Sequence, residues 1–529
     1  MKKMKEIVID KYTIGFIILF LIAILSRTVL LDKFPKGIHE DEAGMMYDAY
    51  CMANFGTDRY LYENPVYLTN FGGGQSILYA TIASLFIKIF GFSLWVVRLP
   101  AVIFSILTIL LAYVLTKKYI GKKFALVLFF LMTICPWHIM QSRWGLDCNL
   151  LASFLMISVY TLLNSKKTWH YILTGIFWGL TLYTYALSYI ILPLLFGILC
   201  VYLYYVRKIT IKSIIITTLP IVILAIPLIL VQIVNCFGLE SMKLGPITIP
   251  RLYTYRIAEV GIGNILGNLN LFSPNNIFQL MFSADHNAFN SFKEFGTIYY
   301  IVIPFVAYGF IFNLKEAITS IKERKFRLRT VFFIQFITIF LILLLFANPQ
   351  LYKLNPLFML LLVFATEGIL WLYHKDKTLG YLVIFILIIT FIIFEIFYFH
   401  NINKKAGVAF NTDVLSLVNY LETEYPNQEI YLETDAIQQY IYVLLANKVS
   451  PYEFMQDMQI VQFENGDTEV IKAGRYHFLD FKIDKDRVYV LEENNLFKKN
   501  RVEMYKQILE KQGFQQKVYN HFLLYSFSE

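Results

Sequence analysis

Runs of about twenty apolar residues recur along most of this chain, and no motif constrains its fold as strongly. A helix rises about 1.5 Å per residue, so such a run crosses a hydrocarbon core about 30 Å thick. The 529 residues are 57% hydrophobic and only 16% charged, against about 25% charged in ordinary soluble domains. The runs predict eleven spans, at 12–31, 94–115, 124–141, 148–164, 169–187, 188–206, 213–235, 297–314, 330–347, 356–373 and 379–399. The N-terminal run lacks a small-residue cleavage site and is expected to be retained as the first span.

Charge then orients the spans. Basic patches at 117–123, 165–167, 207–212, 315–329 and 374–377 all fall on the side of the N-terminus. With that arrangement the N-terminal-side segments hold 21 Lys and Arg against 5 acids. Lys and Arg accumulate in cytoplasmic loops, so that side is expected to be the cytoplasm. The net charge of +9 is thereby a topology signal, and nucleic acid is not an expected partner. One more apolar stretch, 76–92, is short and carries Lys88. Counting it as a span would invert every later loop, so it is read as an amphipathic helix lying on the outer surface.

This places outer loops at 32–93 and 236–296, and a polar tail after residue 400. The tail holds 14 basic against 19 acidic residues. Its segments "EIYLETD", "RVYVLEE" and "HFLLYSF" read as strands, and "DVLSLVNYLETEY" and "RVEMYKQILEKQGF" as amphipathic helices. The expected architecture is an all-α polytopic membrane module over 1–400, with surface helices in its first outer loop. A soluble extracytoplasmic α/β domain over 401–529 completes it.

Two clusters carry potential chemistry at the outer boundary. "GIHEDEAGMMYDAY", residues 37–50, sets Glu40, Asp41 and Glu42 side by side. It reads either as solvated loop charge or as a general base whose proton affinity neighbouring carboxylates raise. "SRWGLDCNL", 142–150, places Arg143 and Asp147 four apart, which on a continuing helix is one face. That pair reads either as an anchor for a helix end or as a guanidinium that grips an anionic group such as phosphate. Arg98 and Arg27 lie at the same depth. Glu367 and Glu395 fall inside spans, where acids are usually functional or paired. The five cysteines lack CxxC spacing and no His/Asp/Glu spacing forms a metal cage, so neither a metal nor another cofactor is expected.

An Asp-Glu pair in the first outer loop, then Gly91 and Arg98-Leu99-Pro100, then Ser142-Arg143 and Leu146-Asp147, resembles the GT-C membrane glycosyltransferases. The resemblance covers roughly residues 10–165. It is closest to the branch of protein O-mannosyltransferases and the lipid A aminoarabinose transferase. It implies Asp41 as catalytic carboxylate with Glu42 supporting it, and a sugar donor carried on polyprenyl phosphate. Arg143, Asp147, Arg98, Gln75 and His286 are then the expected substrate-binding residues. The chain departs from that pattern at Gly72-Gly73-Gly74-Gln75, where relatives carry a Pro-rich, Lys-containing segment, and at Gly44, where the lipid A enzymes carry Arg.

The expected function is an inverting transfer of a sugar to a protein, lipid or glycan hydroxyl at the outer face of the plasma membrane. The competing class, a transporter or flippase of lipid-linked sugars, predicts charge near mid-membrane and paired broken helices. Here the charged clusters lie in loops at one surface.

Overall fold

The computed structural model describes residues 10–253, 274–284, 287–346, 350–462, 468–479, 481–493 and 498–527. It divides into two compact units. The first comprises residues 1–31, 98–226 and 257–402, and the second 32–97, 227–256 and 403–529.

The first unit is helical. Across the described residues nine helices are long and apolar enough to cross a membrane, among them Lys11–Thr28, Leu94–Tyr119, Leu351–Lys375 and Lys377–Lys405. Two expected spans are shorter than the sequence suggests. The run at 124–141 is split into helices Lys122–Ile134 and Pro136–Gln141, with Cys135 extended between them. Pro136 explains the break, because it has no N–H and pushes the preceding residue out of helical geometry. The run at 169–187 forms only Thr168–Thr181, about 21 Å of helix.

The second unit combines loop and tail. Its acidic stretch is helix Glu40–Asn54, which packs against helix Leu78–Phe90. That second helix has 13 residues and stops at Gly91, whose φ is +82°. At about 20 Å it is too short to span. A small hairpin pairs β1 (Met242–Leu244) with β2 (Ile247–Ile249), and its Thr248 accepts the backbone N–H of Val66.

The tail holds a seven-stranded sheet. In chain order its strands are β3 (Glu429–Glu433), β4 (Gln459–Gln462), β5 (Thr468–Ala473), β6 (Tyr476–His477), β7 (Arg487–Glu492), β8 (Gln515–Tyr519) and β9 (Phe522–Ser526). In space they run β4-β5-β6-β3-β7-β9-β8, with β3 parallel to β6 and β7 and every other pair antiparallel. Tyr431, Tyr489 and Leu523 from the sheet and Leu509 from helix Lys499–Lys511 form the core of one face. The three strands and two helices expected in the tail are all present. The weaker strands β4, β5, β6 and β8 carry no alternating apolar pattern strong enough to stand out.

The tail is not a body of its own. Ile38 N–H donates to the Phe410 carbonyl at 2.7 Å. Tyr442 Oη donates to the Ile38 carbonyl at 2.9 Å and Tyr47 Oη to that of Val449 at 2.8 Å. Lys36 pairs with Asp413 at 2.6 Å. The first loop and the tail therefore share a single fold, and removing 405–529 strips the loop of its partners. We expect such a truncation to insert in the membrane but to expose Arg59, which is fully buried in the whole protein. Limited trypsin digestion reads this directly. Continued resistance at Arg59 would show that the loop folds without the tail.

Candidate active site

The acidic triplet forms the first turn of helix Glu40–Asn54. Carboxylates there face the unsatisfied N–H groups and the positive end of the helix dipole, which offsets their mutual repulsion. His39 caps the helix, its Nδ1 accepting from Asp41 N–H at 3.2 Å. Burial holds the His39 imidazole below its usual pKa, in keeping with a neutral ring that accepts.

The three neighbours meet different surroundings. The Glu42 side chain is fully buried. The Asp41 side chain is 44% exposed, with an oxygen 3.7 Å from His39 Nδ1. Glu40 is intermediate; burial, with the adjacent Asp41 charge, pushes its pKa to about 7. Asp41 and Glu40 are thus both half-buried, and Glu42 alone is fully covered.

Behind this turn lies a pair that the sequence did not single out. Arg59 and Asp48 are buried at 0% and 1% exposure. Arg59 Nε donates to Asp48 Oδ1 at 2.9 Å and Nη2 to Oδ2 at 2.8 Å. Nη2 also reaches the Gly44 carbonyl and Asn70 Oδ1, and Nη1 donates to Tyr440 Oη at 3.1 Å. Asn70 in turn donates to Gln75 Oε1 at 3.0 Å. Gln75 is buried and acts within this network. Gly44 is required here, since a Cβ would overlap Asn70 Oδ1 and stand 3.0 Å from Arg59 Nη2. A side chain here, where the lipid A enzymes carry Arg, would have to displace Asn70 and Phe71.

The remaining expected residues lie in the membrane unit. Arg143 is 0% exposed. Its Nη1 donates to the Ser26 carbonyl at 3.0 Å, Nη2 to that of Val29 at 2.7 Å, and Nε to Tyr398 Oη at 3.2 Å. Arg98 Nη1 donates to the Leu31 carbonyl at 2.9 Å. These carbonyls belong to the last turn of helix Lys11–Thr28 and the residues after it, where helical partners run out. Both guanidiniums thus hold backbone, and the Arg143 fork is closed around it. The helix expected to carry Arg143 and Asp147 on one face ends at Gln141. Asp147 instead begins a short 3₁₀ turn, its Oδ1 accepting from Cys148 N–H at 2.8 Å. His286 lies outside the described residues.

Arg27 does similar work at the Pro136 break. The Met132 carbonyl would bond the N–H of residue 136, which proline lacks. Arg27 Nη2 supplies the donor at 3.1 Å, Nη1 donates to the Thr133 carbonyl at 3.2 Å, and Nη2 also lies 2.8 Å from His138 Nδ1. Arginine only donates, so His138 accepts on Nδ1. Of the two intramembrane acids, Glu367 pairs with Arg329. Glu395 feels the charges of Arg27 and Arg143. Ser105, Thr108, His138, Gln141 and Asn355 line a cavity of about 20 Å³. That is room for a single water and far too little for a sugar. Among the described residues no cluster of three metal-ligating side chains occurs.

Residues 75–234 match the family described as dolichyl-phosphate-mannose-protein mannosyltransferase. No curated protein matches the chain in sequence. Among solved structures the chain is similar to ArnT from Cupriavidus metallidurans bound to undecaprenyl phosphate. They share 11% identity and a TM-score of 0.56, over 97% of this chain and 98% of that one. The apo state of the same protein gives 11% identity and a TM-score of 0.54 over the same shares. The oligosaccharyltransferase AglB from Archaeoglobus fulgidus gives 13% identity and 0.46, over 82% of this chain and 63% of that one. The chain has the fold of the GT-C membrane glycosyltransferases.

The Arg143 geometry sets an expectation for stability. Arg143→Ala leaves the carbonyls of Ser26 and Val29 buried without donors, at about 1–3 kcal/mol for each unsatisfied group. Arg143→Lys keeps the charge but cannot fork between them. Thermal unfolding in detergent should therefore rank the variants wild type, Lys, Ala. Wild-type melting of the Ala variant would remove Arg143 from the structural framework.

Proposed function

We propose that this chain, a multi-pass membrane glycosyltransferase of the GT-C type, moves a sugar from a polyprenyl-phosphate donor to an acceptor hydroxyl. The reaction takes place at the extracytoplasmic face of the cell membrane, with the N-terminus in the cytoplasm. The observation that carries this reading is the acidic first turn, where Asp41 is open beside a buried Glu42 and a Glu40 of raised pKa. The donor class is supported by the undecaprenyl phosphate named with ArnT and by the dolichyl-phosphate-mannose description of the family. Acceptors are a protein, a lipid or a cell-envelope glycan.

In this mechanism Asp41 takes the proton from the acceptor hydroxyl. The acceptor oxygen bonds to the anomeric carbon as the bond from that carbon to the phosphate oxygen breaks. The polyprenyl phosphate leaves with the bonding electrons, and a single displacement inverts the anomeric centre. Glu40 and Glu42 flank Asp41 in the same helical turn, and Glu42 supports it from its buried position. Gln75 serves by holding Asn70, and through it Arg59. Arg98, Arg143 and Asp147 serve by fixing the backbone that they grip, and act as positioning residues.

Sugar transfer by purified variants at saturating donor tests the proposal. Asp41→Asn is nearly isosteric, so donor binding should persist while the rate falls about 10²–10⁴-fold, the usual worth of a general base. Full activity in Asp41→Asn would overturn the assignment. The raised pKa of Glu40 adds a pH signature. Below about pH 7 Glu40 is neutral; above it, the turn carries one more negative charge, which favours the positive charge developing at the anomeric carbon. The rate should therefore climb through an inflection near pH 7, and Glu40→Gln should remove that inflection while leaving substantial activity. An unchanged profile in Glu40→Gln would separate Glu40 from the base.

A further inference from the structure

The membrane unit holds a second, larger cavity, an open groove of about 460 Å³. Leu194 and Ile198 from helix Ser188–Tyr205 line it, with Ala317 and Ile321 from Ile303–Glu323 and Phe333 and Leu341 from Leu328–Phe346. Among the described residues its only polar lining is Thr330 and Thr338. A single water needs only about 10–15 Å³ in a cavity measured this way, so the groove has ample room for an acyl chain.

One end of the groove is chemically distinct. The three helices meet where Tyr202 Oη lies 2.8 Å from Ser320 Oγ and accepts from Arg327 N–H at 3.1 Å. Arg324 Nε donates to Tyr205 Oη at 3.1 Å. The lining residue Ile321 adjoins Lys322, and Thr330 adjoins Arg329. Some of the basic residues here are already paired. Arg327 Nη1 donates to both Glu316 oxygens at 2.8 Å, and Arg329 is paired with Glu367. Arg207, Lys322 and Arg324 are exposed and have no acidic partner among the described residues. Exposed Tyr204 and Tyr205 sit at the same level, as aromatic side chains do at the headgroup boundary.

We propose that this groove is a binding site for one anionic phospholipid. An acyl chain fills the channel between the three helices, and the phosphate-bearing headgroup rests among Arg207, Lys322 and Arg324. The site is separate from the acidic turn and does not depend on the proposed sugar transfer. Basic side chains without acidic partners among the described residues, at the mouth of an otherwise apolar channel, favour an anionic headgroup over a zwitterionic one.

The test uses the full-length protein purified in detergent and offered equal amounts of phosphatidylglycerol and phosphatidylcholine with identical acyl chains. Native mass spectrometry reads the bound lipid. We expect one phospholipid per chain, with phosphatidylglycerol retained over phosphatidylcholine by about tenfold or more, as two or three favourable basic side chains imply. K322Q combined with R324Q should erase the preference while retaining a lipid. Ala317→Phe and Leu341→Trp, which fill the groove from two different helices, should each reduce retention of both lipids with thermal unfolding unchanged. Equal retention of the two lipids by the wild type would overturn the proposal, as would undiminished retention in both filled variants. Displacement of the bound phospholipid by an equimolar polyprenyl phosphate would also overturn it, by assigning the groove to a donor tail. Should both filled variants unfold, the comparison of wild type with K322Q/R324Q decides alone.

Discussion

The buried pair Asp48–Arg59 is the interaction on which the second unit depends. Taking both charges out of water costs several kcal/mol per ion unless every polar atom finds a partner. Here the guanidinium donates to both Asp48 oxygens, to the Gly44 carbonyl, to Asn70 and to Tyr440. Its faces lie against Tyr47 and Phe71, at 5.8 and 5.3 Å. The partners come from three stretches of chain, so one cation registers the acidic helix, the loop after it and the tail helix Tyr440–Asn447. Removing either charge would leave the other buried and unpaired, a loss of about 3–5 kcal/mol.

A second theme runs through the membrane unit, where three arginines donate to backbone carbonyls. Arg143 and Arg98 satisfy carbonyls at and beyond the end of the first helix. Arg27 satisfies the carbonyl that Pro136 orphans. In hydrocarbon an unsatisfied carbonyl is costly, and no water is at hand to relieve it. A guanidinium offers five donors in a rigid fork, so one side chain can cap several backbone groups at once. The same geometry makes it a good phosphate ligand, and for that reason residue type and depth alone do not separate the two uses.

How far the sequence was legible follows from the range of the forces involved. Apolar runs report burial in lipid residue by residue, so the helical membrane body was readable. So were the strands "EIYLETD" and "RVYVLEE", with their strong β formers. The helix break at Cys135 was also written locally, in Pro136, but it sat inside an apolar run whose length drew attention first. Pairings between distant segments were not readable. Arg59 and Tyr440 lie 381 positions apart, and nothing near either residue announces the other. The partition of the tail followed the same rule. A composition change at residue 400 marks where the lipid ends, whereas the hydrogen bonds from Ile38, Tyr47 and Lys36 decide what the tail folds with.

The acidic triplet shows what remains local once that framework is set. Helical geometry turns successive residues by about 100°, so three identical charges in one turn face three directions. Glu42 points inward and is fully covered. Asp41 points toward solvent beside the capping His39. Glu40 is partly covered, and its pKa rises to about 7 because burial and the Asp41 charge both disfavour its anion. The helix N-terminus makes negative charge tolerable at all three positions. A row of carboxylates that looks redundant in sequence becomes, on one turn of helix, three groups in different surroundings, of which only Glu42 is fully covered.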